Sequence, residues 1–337
     1  MKNQRIAKNT PRMVVIGGGT GSFTLLSGLK SYAQDITALV TMADDGGSTG
    51  QLRDELGVLP PGDVRQCLVA LSNSPKVRDL FNYRFDEGAL KGHAFGNLFL
   101  TALEKMTGNF AEAVELAGRV LDINGTVEPT TLTNITLCAE GEGGEPVRGQ
   151  YTVTHTGALL KRHPRIWLEP EAIANPLAVQ AIQNADMVVI APGNLYGSLA
   201  PSLVIKEIGD ALRETNATCV YVCNLVTKPG ATDGMMVHDF AGEIERLAGG
   251  EFLDYVVFNK EAPSQELLDK YAHDGELAVA FDETILKQQH YKFRGADLVA
   301  DHAWTGAQTS DPIANVRSFI RHDPDAIARQ LMRIYFT

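Results

Sequence analysis

Short β-branched apolar runs, most of them closed by a turn rich in glycine or asparagine, alternate with stretches of helical period along most of this chain. That alternation constrains the fold more than any single motif, because a buried strand followed by a helix builds parallel β-α-β units. Residues 13–16 read as the first strand, 22–32 as a helix carrying Phe23, Leu25, Leu26 and Leu29, and 36–42 as the second strand. Four helices follow: 63–71 with Asp63 as its N-cap, 75–83 opened by Pro75, 96–106 and 110–121. From 126 to 168 the pattern changes to short alternating segments, 133–137 and 151–154, around a glycine-rich 141–149, which reads as an antiparallel β insert. Helices over 176–184, 202–214 and 237–247 then alternate with strands over 187–191, 218–223 and 255–258, and an amphipathic helix over 324–335 ends the chain. The expectation is an α/β fold: a mostly parallel sheet flanked by helices, in one domain over 12–337, after a disordered tail at 1–11.

Composition narrows the partners. The 337 residues hold 41 acidic against 30 basic side chains, a net charge of −11 that repels nucleic-acid backbones and anionic membrane surfaces. No stretch reaches the roughly 18 apolar residues of a membrane span, and the polar, basic start lacks the apolar centre of a signal peptide. A cytoplasmic protein is expected. Cys67, Cys138, Cys219 and Cys223 show no C-x-x-C pair and no zinc spacing, so they read as reduced core residues.

The glycine turns carry the chemistry. Gly17-Gly18-Gly19-Thr20-Gly21 follows the first strand, where bare backbone can turn tightly and aim amides at an anion. Its third fingerprint position for a dinucleotide site is Ser22 rather than glycine. After the second strand comes Ala43-Asp44-Asp45-Gly46-Gly47-Ser48-Thr49-Gly50. Adjacent carboxylates repel unless a cation or hydrogen-bond donors offset them. Magnesium bridging to a diphosphate is one such offset, with Asp45 and Asp63 as its candidate ligands; the other reading has Asp44 capping a turn and Asp45 facing water. Asp63 and Arg65 lie in the next loop, and His93 in Gly92-His93-Ala94-Phe95-Gly96-Asn97 is either a general base or a hydrogen-bonded turn residue. Ala191-Pro192-Gly193-Asn194-Leu195-Tyr196-Gly197-Ser198 forms a second anion cradle, and the loop from Cys223 through Asn224 to Gly230 repeats the strand-then-turn design.

In their order and spacing these motifs, together with Leu59-Pro60-Pro61-Gly62-Asp63-Val64-Arg65 and Tyr221-Val222-Cys223-Asn224, resemble those of the bacterial gluconeogenesis factors, within the superfamily that also contains 2-phospho-L-lactate transferase. The similarity runs from Met13 to about Tyr335. It implies a modified Rossmann-like fold. It implies a phosphate and nucleotide site at Gly18, Gly19, Thr20, Gly21, Asp44, Gly46, Gly47, Ser48, Arg65 and Asn97, continued by Gly193, Asn194, Leu195, Tyr196, Ser198 and Asn224. Tyr271 and Arg321 match positions for uridine stacking and pyrophosphate pairing. Family members usually carry Gly-Pro-Gly-Ser where this chain has Ala191-Pro192-Gly193-Asn194.

Two functions are then expected to compete. The gluconeogenesis-factor branch implies a regulator of cell shape and peptidoglycan supply during gluconeogenic growth, which binds a UDP-sugar such as UDP-N-acetylglucosamine and acts on a protein partner, as a homo-oligomer. The transferase branch implies magnesium-dependent transfer from a nucleoside diphosphate conjugate. A nicotinamide dehydrogenase, which the first glycine turn alone would permit, is disfavoured by Ser22 and the doubled aspartates. Neither nucleic-acid binding nor a nicotinamide cofactor is expected.

Overall fold

A computed structural model of the chain describes residues 10–141, 144–155, 163–261, 275–300 and 321–337. Seven parallel strands form the main sheet: β1 Arg12–Gly17, β2 Asp35–Val40, β3 Thr126–Pro129, β7 Met187–Ile190, β8 Thr218–Val222, β9 Tyr255–Asn259 and β10 Lys292–Ala296. Their spatial order is β10-β9-β8-β7-β1-β2-β3. Three antiparallel strands, β4 Thr136–Glu140, β5 Val147–Arg148 and β6 Arg165–Glu169, make a second sheet in the order β5-β4-β6.

The strands of the main sheet are buried on both faces, which is why they read as unbroken apolar runs. Met13 and Val15 of β1 point into one core with Val189 and Val222, while Val14 and Ile16 point into the other with Ile190 and Tyr221. The first core is closed by helices α1 Gly19–Leu29, α3 Gly62–Leu71 and α6 Phe110–Leu121 together with the C-terminal helix Pro324–Tyr335, through Leu25, Leu68, Val114 and Ile327. The second is closed by helices Pro176–Asn184, Lys206–Glu214 and Val237–Leu247 and by the inner face of the small sheet, through Ile182, Ile208, Phe240 and Leu137. Burying each such side chain contributes about 1.5–3 kcal/mol.

The connections fix where a ligand belongs. From β1 the chain moves outward to β2 on one side, and from β7 outward to β8 on the other, so the order reverses between β1 and β7. In open parallel sheets the crevice beyond the carboxyl ends of the strands at such a reversal receives ligands. Gly17 and Ile190 end the two strands that flank it.

Several expectations need correction. Residues 126–129 belong to the edge of the parallel sheet, paired with β2, so the antiparallel sheet starts only at Thr136 and not at 126. Residues 151–154 lie in a helix, α7 Gln150–His155, rather than a strand. The helix expected over 202–214 is broken into a wide turn Leu195–Leu199, a short helix Ala200–Leu203 and the helix Lys206–Glu214. Helix α2 Gly47–Leu56 and strand β10 were not foreseen. The expected tail at 1–11 lies, through residue 9, outside the described residues, as does Tyr271. All four cysteines are buried and unpaired, and burial pushes the Cys219 and Cys223 thiols up to about 12, which keeps them protonated and unreactive. Among the described residues no helix is long and apolar enough to cross a membrane.

Candidate functional site

Backbone builds the centre of the site. Gly18 is the extended N-cap of α1 and Gly19, at φ +65°, bends the chain into the helix, a conformation that favours glycine. Its glycine N-cap has no side chain to cap α1 and its first turn holds no acid, so the amides at the helix start and the positive end of its dipole open on the crevice, beside the Asp63 carboxylate. Gly21 faces the second turn: a Cβ there would collide with the carbonyl of Pro192. The turns after β1 and β7 are thereby pressed together. A third loop is tied in by Asn224, which donates from Nδ2 to the Gly193 carbonyl at 2.7 Å and accepts from the Tyr221 hydroxyl at 3.1 Å.

Within the second turn Asn194 is an N-cap, its Oδ1 accepting from the Gly197 amide at 2.8 Å. Here asparagine supplies a capping oxygen to the backbone. Leu195 and Tyr196, expected in the cradle, are instead buried in the core at 2% and 1% exposure and anchor the turn from below. Asn194 and Ser198 do line the cleft.

The two adjacent aspartates diverge. Asp44 lines the cleft, accepts from the Gly46 amide at 3.1 Å, and comes so close to Gly62 that a Cβ there would crowd its Oδ2 at 2.7 Å. Burial raises its pKa, an effect opposed by the hydrogen bonds from Gly46 and Thr49 and by the charge of Arg65 and reinforced by Asp45. Asp63, in the first turn of α3, packs its carboxylate against Gly18, where a Cβ would collide with it. Asp45 turns out of the cleft. Its two oxygens accept from the amides of Gln150 at 3.0 Å and Tyr151 at 2.7 Å, which caps α7. Donors thus offset the second charge, and the expected pairing of Asp45 with Asp63 as metal ligands gives way to Asp44 with Asp63. Those two side chains would offer carboxylate oxygens to a hard cation bridged to phosphate. Among the described residues no cluster of three or more His, Cys, Asp or Glu side chains is arranged for a metal.

Ser48, Arg65, Asn97 and His93 do come together, but beside the cleft rather than in its lining. Arg65, 5% exposed, donates from Nε to Asn97 Oδ1 at 3.0 Å and from Nη1 to Asn82 Oδ1 at 2.6 Å. Because guanidinium only donates, the Asn97 amide must turn its Nδ2 to Ser48 Oγ, at 3.3 Å. Ser48 Oγ also shares a hydrogen bond with His93 Nδ1, at 3.0 Å, whose direction follows the imidazole tautomer. His93 Nδ1 is engaged by Ser48, and the ring lies outside the cleft lining. Gly46 and Gly47, also expected in the cradle, form the N-cap and first residue of α2 and lie outside the lining as well.

The cleft has a volume of about 370 Å³. Gly18, Gly19, Thr20 and Gly21 form one wall, Gly193, Asn194 and Asn224 another, and Arg321 enters from the chain just before the C-terminal helix. Sequence reasoning missed Thr24, Gln150, Lys228 and His322. Lys228 stood in a strand-then-turn loop already singled out, and its charge was the signal; it is ion-paired with Glu276. His322 is buried, donates from Nε2 to the Cys223 carbonyl at 3.1 Å, and has its pKa lowered by burial to about 4, so it is neutral at physiological pH.

Residues 13–299 match the family model described as 2-phospho-L-lactate transferase CofD. A putative gluconeogenesis factor from Nostoc sp. is 41% identical over 96% of this chain and 69% of its own length. The gluconeogenesis factor of Bacillus subtilis is 38% identical over 96% of this chain and 97% of its own length. An X-ray crystal structure of a Bacillus halodurans protein superposes with a TM-score of 0.87 at 35% identity, covering 96% of this chain and all of that one. The chain belongs to the CofD-like family, among its gluconeogenesis factors.

Proposed function

We propose that this protein binds a UDP-sugar through its diphosphate and serves as a ligand-dependent regulator of cell shape and peptidoglycan supply during gluconeogenic growth, acting on a protein partner. One observation carries the binding half of this reading. A helix start with a glycine N-cap and a glycine-rich wall face Arg321 and Lys228 across a single cleft at the sheet's switch point. Amides and cations together complement a pyrophosphate, while the neutral His322 and Asn224 offer uncharged polar contacts beside it. The regulatory half rests on likeness to the gluconeogenesis factors. Titration calorimetry with UDP-N-acetylglucosamine, UDP-glucose and UDP tests the reading: binding of about micromolar affinity is expected, and no heat with any of the three rejects it.

A second reading is favoured by Asp44 and Asp63, which both face the cleft where a regulator would need no acids. In it the pair holds magnesium against the diphosphate of a nucleotide conjugate and the protein acts as a transferase, by charge neutralisation and positioning. Chelator-sensitive binding and turnover of the bound conjugate would favour it over the regulator.

A further inference from the structure

Strand β3 ends the main sheet, paired with β2 on one side and, among the described residues, with no strand on the other. The ladder shows which groups its open side carries. The Thr130 amide donates to the Val40 carbonyl at 2.9 Å, so Thr126, Glu128 and Thr130 turn their backbone groups to β2, while Val127 and Pro129 turn theirs outward. Pro129 has no N–H, and its carbonyl accepts from Asn175 Nδ2 at 3.0 Å. With its side chain in the first core, Val127 offers its N–H and C=O to a further strand.

A cavity lies on each face of this edge, and Thr126 and Glu128 line both. On the α6 face the volume is about 390 Å³, bounded by buried Val114 and Gly118 and by exposed Glu115, Arg119 and Asp122. On the opposite face, against helix Pro176–Asn184, it is about 200 Å³, bounded by Glu128 and by exposed Leu177 and Gln180. Successive side chains of a strand point to opposite faces of its sheet. A segment pairing with Val127 would therefore send neighbouring side chains alternately into the two cavities, the arrangement by which an added strand gains specificity.

Charge selects the occupant. Arg119 is paired with Glu115 at 2.7 Å, and among the described residues no cation pairs with Asp122 or Glu128. The Glu128 carboxylate is half-buried, accepts from Asn175 Nδ2 at 3.2 Å, and has its pKa raised by burial, the state a cation would relieve. Lysine and arginine meet both demands, with an apolar stem for Val114 or Leu177 and a charged head for the acids. The chain's net charge of −11 draws in such a segment.

We infer that the β3 edge is a docking groove for an extended, basic segment of a partner protein, which pairs with Val127 and sets its side chains into the two cavities. None of these residues lines the cleft, so the inference does not depend on the nucleotide reading. Pro129 and the four-residue length of β3 keep the pairing short, which separates docking from open-ended sheet growth.

The test titrates wild-type protein with a fluorescein-labelled peptide, KVKVKV, and with two controls: EVEVEV, which reverses the charge, and KVKVKV N-methylated throughout, which removes the backbone donors. Wild type should bind KVKVKV at about 10–100 micromolar and bind both controls at least about tenfold more weakly. Amide exchange at Val127 should slow roughly tenfold with the peptide bound. Glu128→Gln keeps an acceptor for Asn175, and Gln180→Trp fills the smaller cavity from its exposed side. Each variant, checked by circular dichroism, should weaken KVKVKV about five- to tenfold. No binding by wild type, or binding that survives both substitutions and leaves Val127 exchange unchanged, overturns the groove. A dimer in sedimentation without peptide that Gln180→Trp splits gives the edge to a second copy and also overturns it.

Discussion

The two sides of the cleft are built from different material. On the β1, β7 and β8 side the shape is set by backbone: Gly19 at φ +65°, Gly21 against the Pro192 carbonyl, and Asn224 pinning Gly193. On the β2 side it is set by side chains, a chain of hydrogen bonds linking Arg65, Asn97, Ser48 and His93, with Asp45 reaching across to α7. A backbone wall tolerates no added atom but depends on few side chains. A side-chain wall tolerates changes of size and fails when one donor is lost. The first is suited to a constant group such as a diphosphate, the second to holding acids in place beside it.

Substitutions that attack each side separately sharpen this contrast. Gly21→Val places atoms where the Pro192 carbonyl lies, so the two turns must part. It should abolish UDP binding in calorimetry and lower stability by about 1–3 kcal/mol in urea denaturation; retained binding would break the claim that the turns work as one unit. Arg65→Ala removes the donor that orients Asn97 and also serves Asn82. A loss of about 2 kcal/mol is expected, with UDP affinity changed only a few-fold, whereas a direct phosphate contact by Arg65 would show as a collapse of affinity. Asp45→Ala uncaps α7 and should lower stability by about 1 kcal/mol, with hydrogen exchange rising first at Gln150 and Tyr151.

The smallest effect at neutral pH comes from His322. Its pKa is depressed by burial to about 4 from an ordinary 6.5, so the folded state holds it neutral while the unfolded chain takes up the proton. The stability it contributes is present above pH 6.5 and is lost as the pH falls towards 4. Thermal melts across that window should decline for wild type and flatten for His322→Gln.

How much of this was readable beforehand follows the same division. The parallel sheet and the first glycine turn were visible in the sequence because strand runs and glycines are local signals, and Gly18 to Gly21, Gly193 and Asn224 all came together as expected. The network side depends on pairs such as Ser48 with His93 and Asp45 with Gln150, which are far apart in the chain and carry no periodic mark. Residues 151–154, Tyr-Thr-Val-Thr, have the composition of a strand, yet the carboxylate of Asp45 caps them as a helix from 105 residues away. Helix α2 went unseen because Gly-Ser-Thr-Gly opens it with turn formers; its end is marked by Gly57 at φ +63°. Leu195 and Tyr196 were misplaced because a loop position following glycine and asparagine suggests a ligand contact, whereas both side chains turn down into the core.

The central claim is that the amides opening α1 receive a diphosphate, and the most direct measurement follows those amides themselves. In a titration of isotope-labelled protein with UDP, the backbone resonances of Gly18, Gly19, Thr20 and Gly21 should shift most, together with Gly193, and saturate along one binding curve. Saturable UDP binding that leaves these amides unmoved would contradict it.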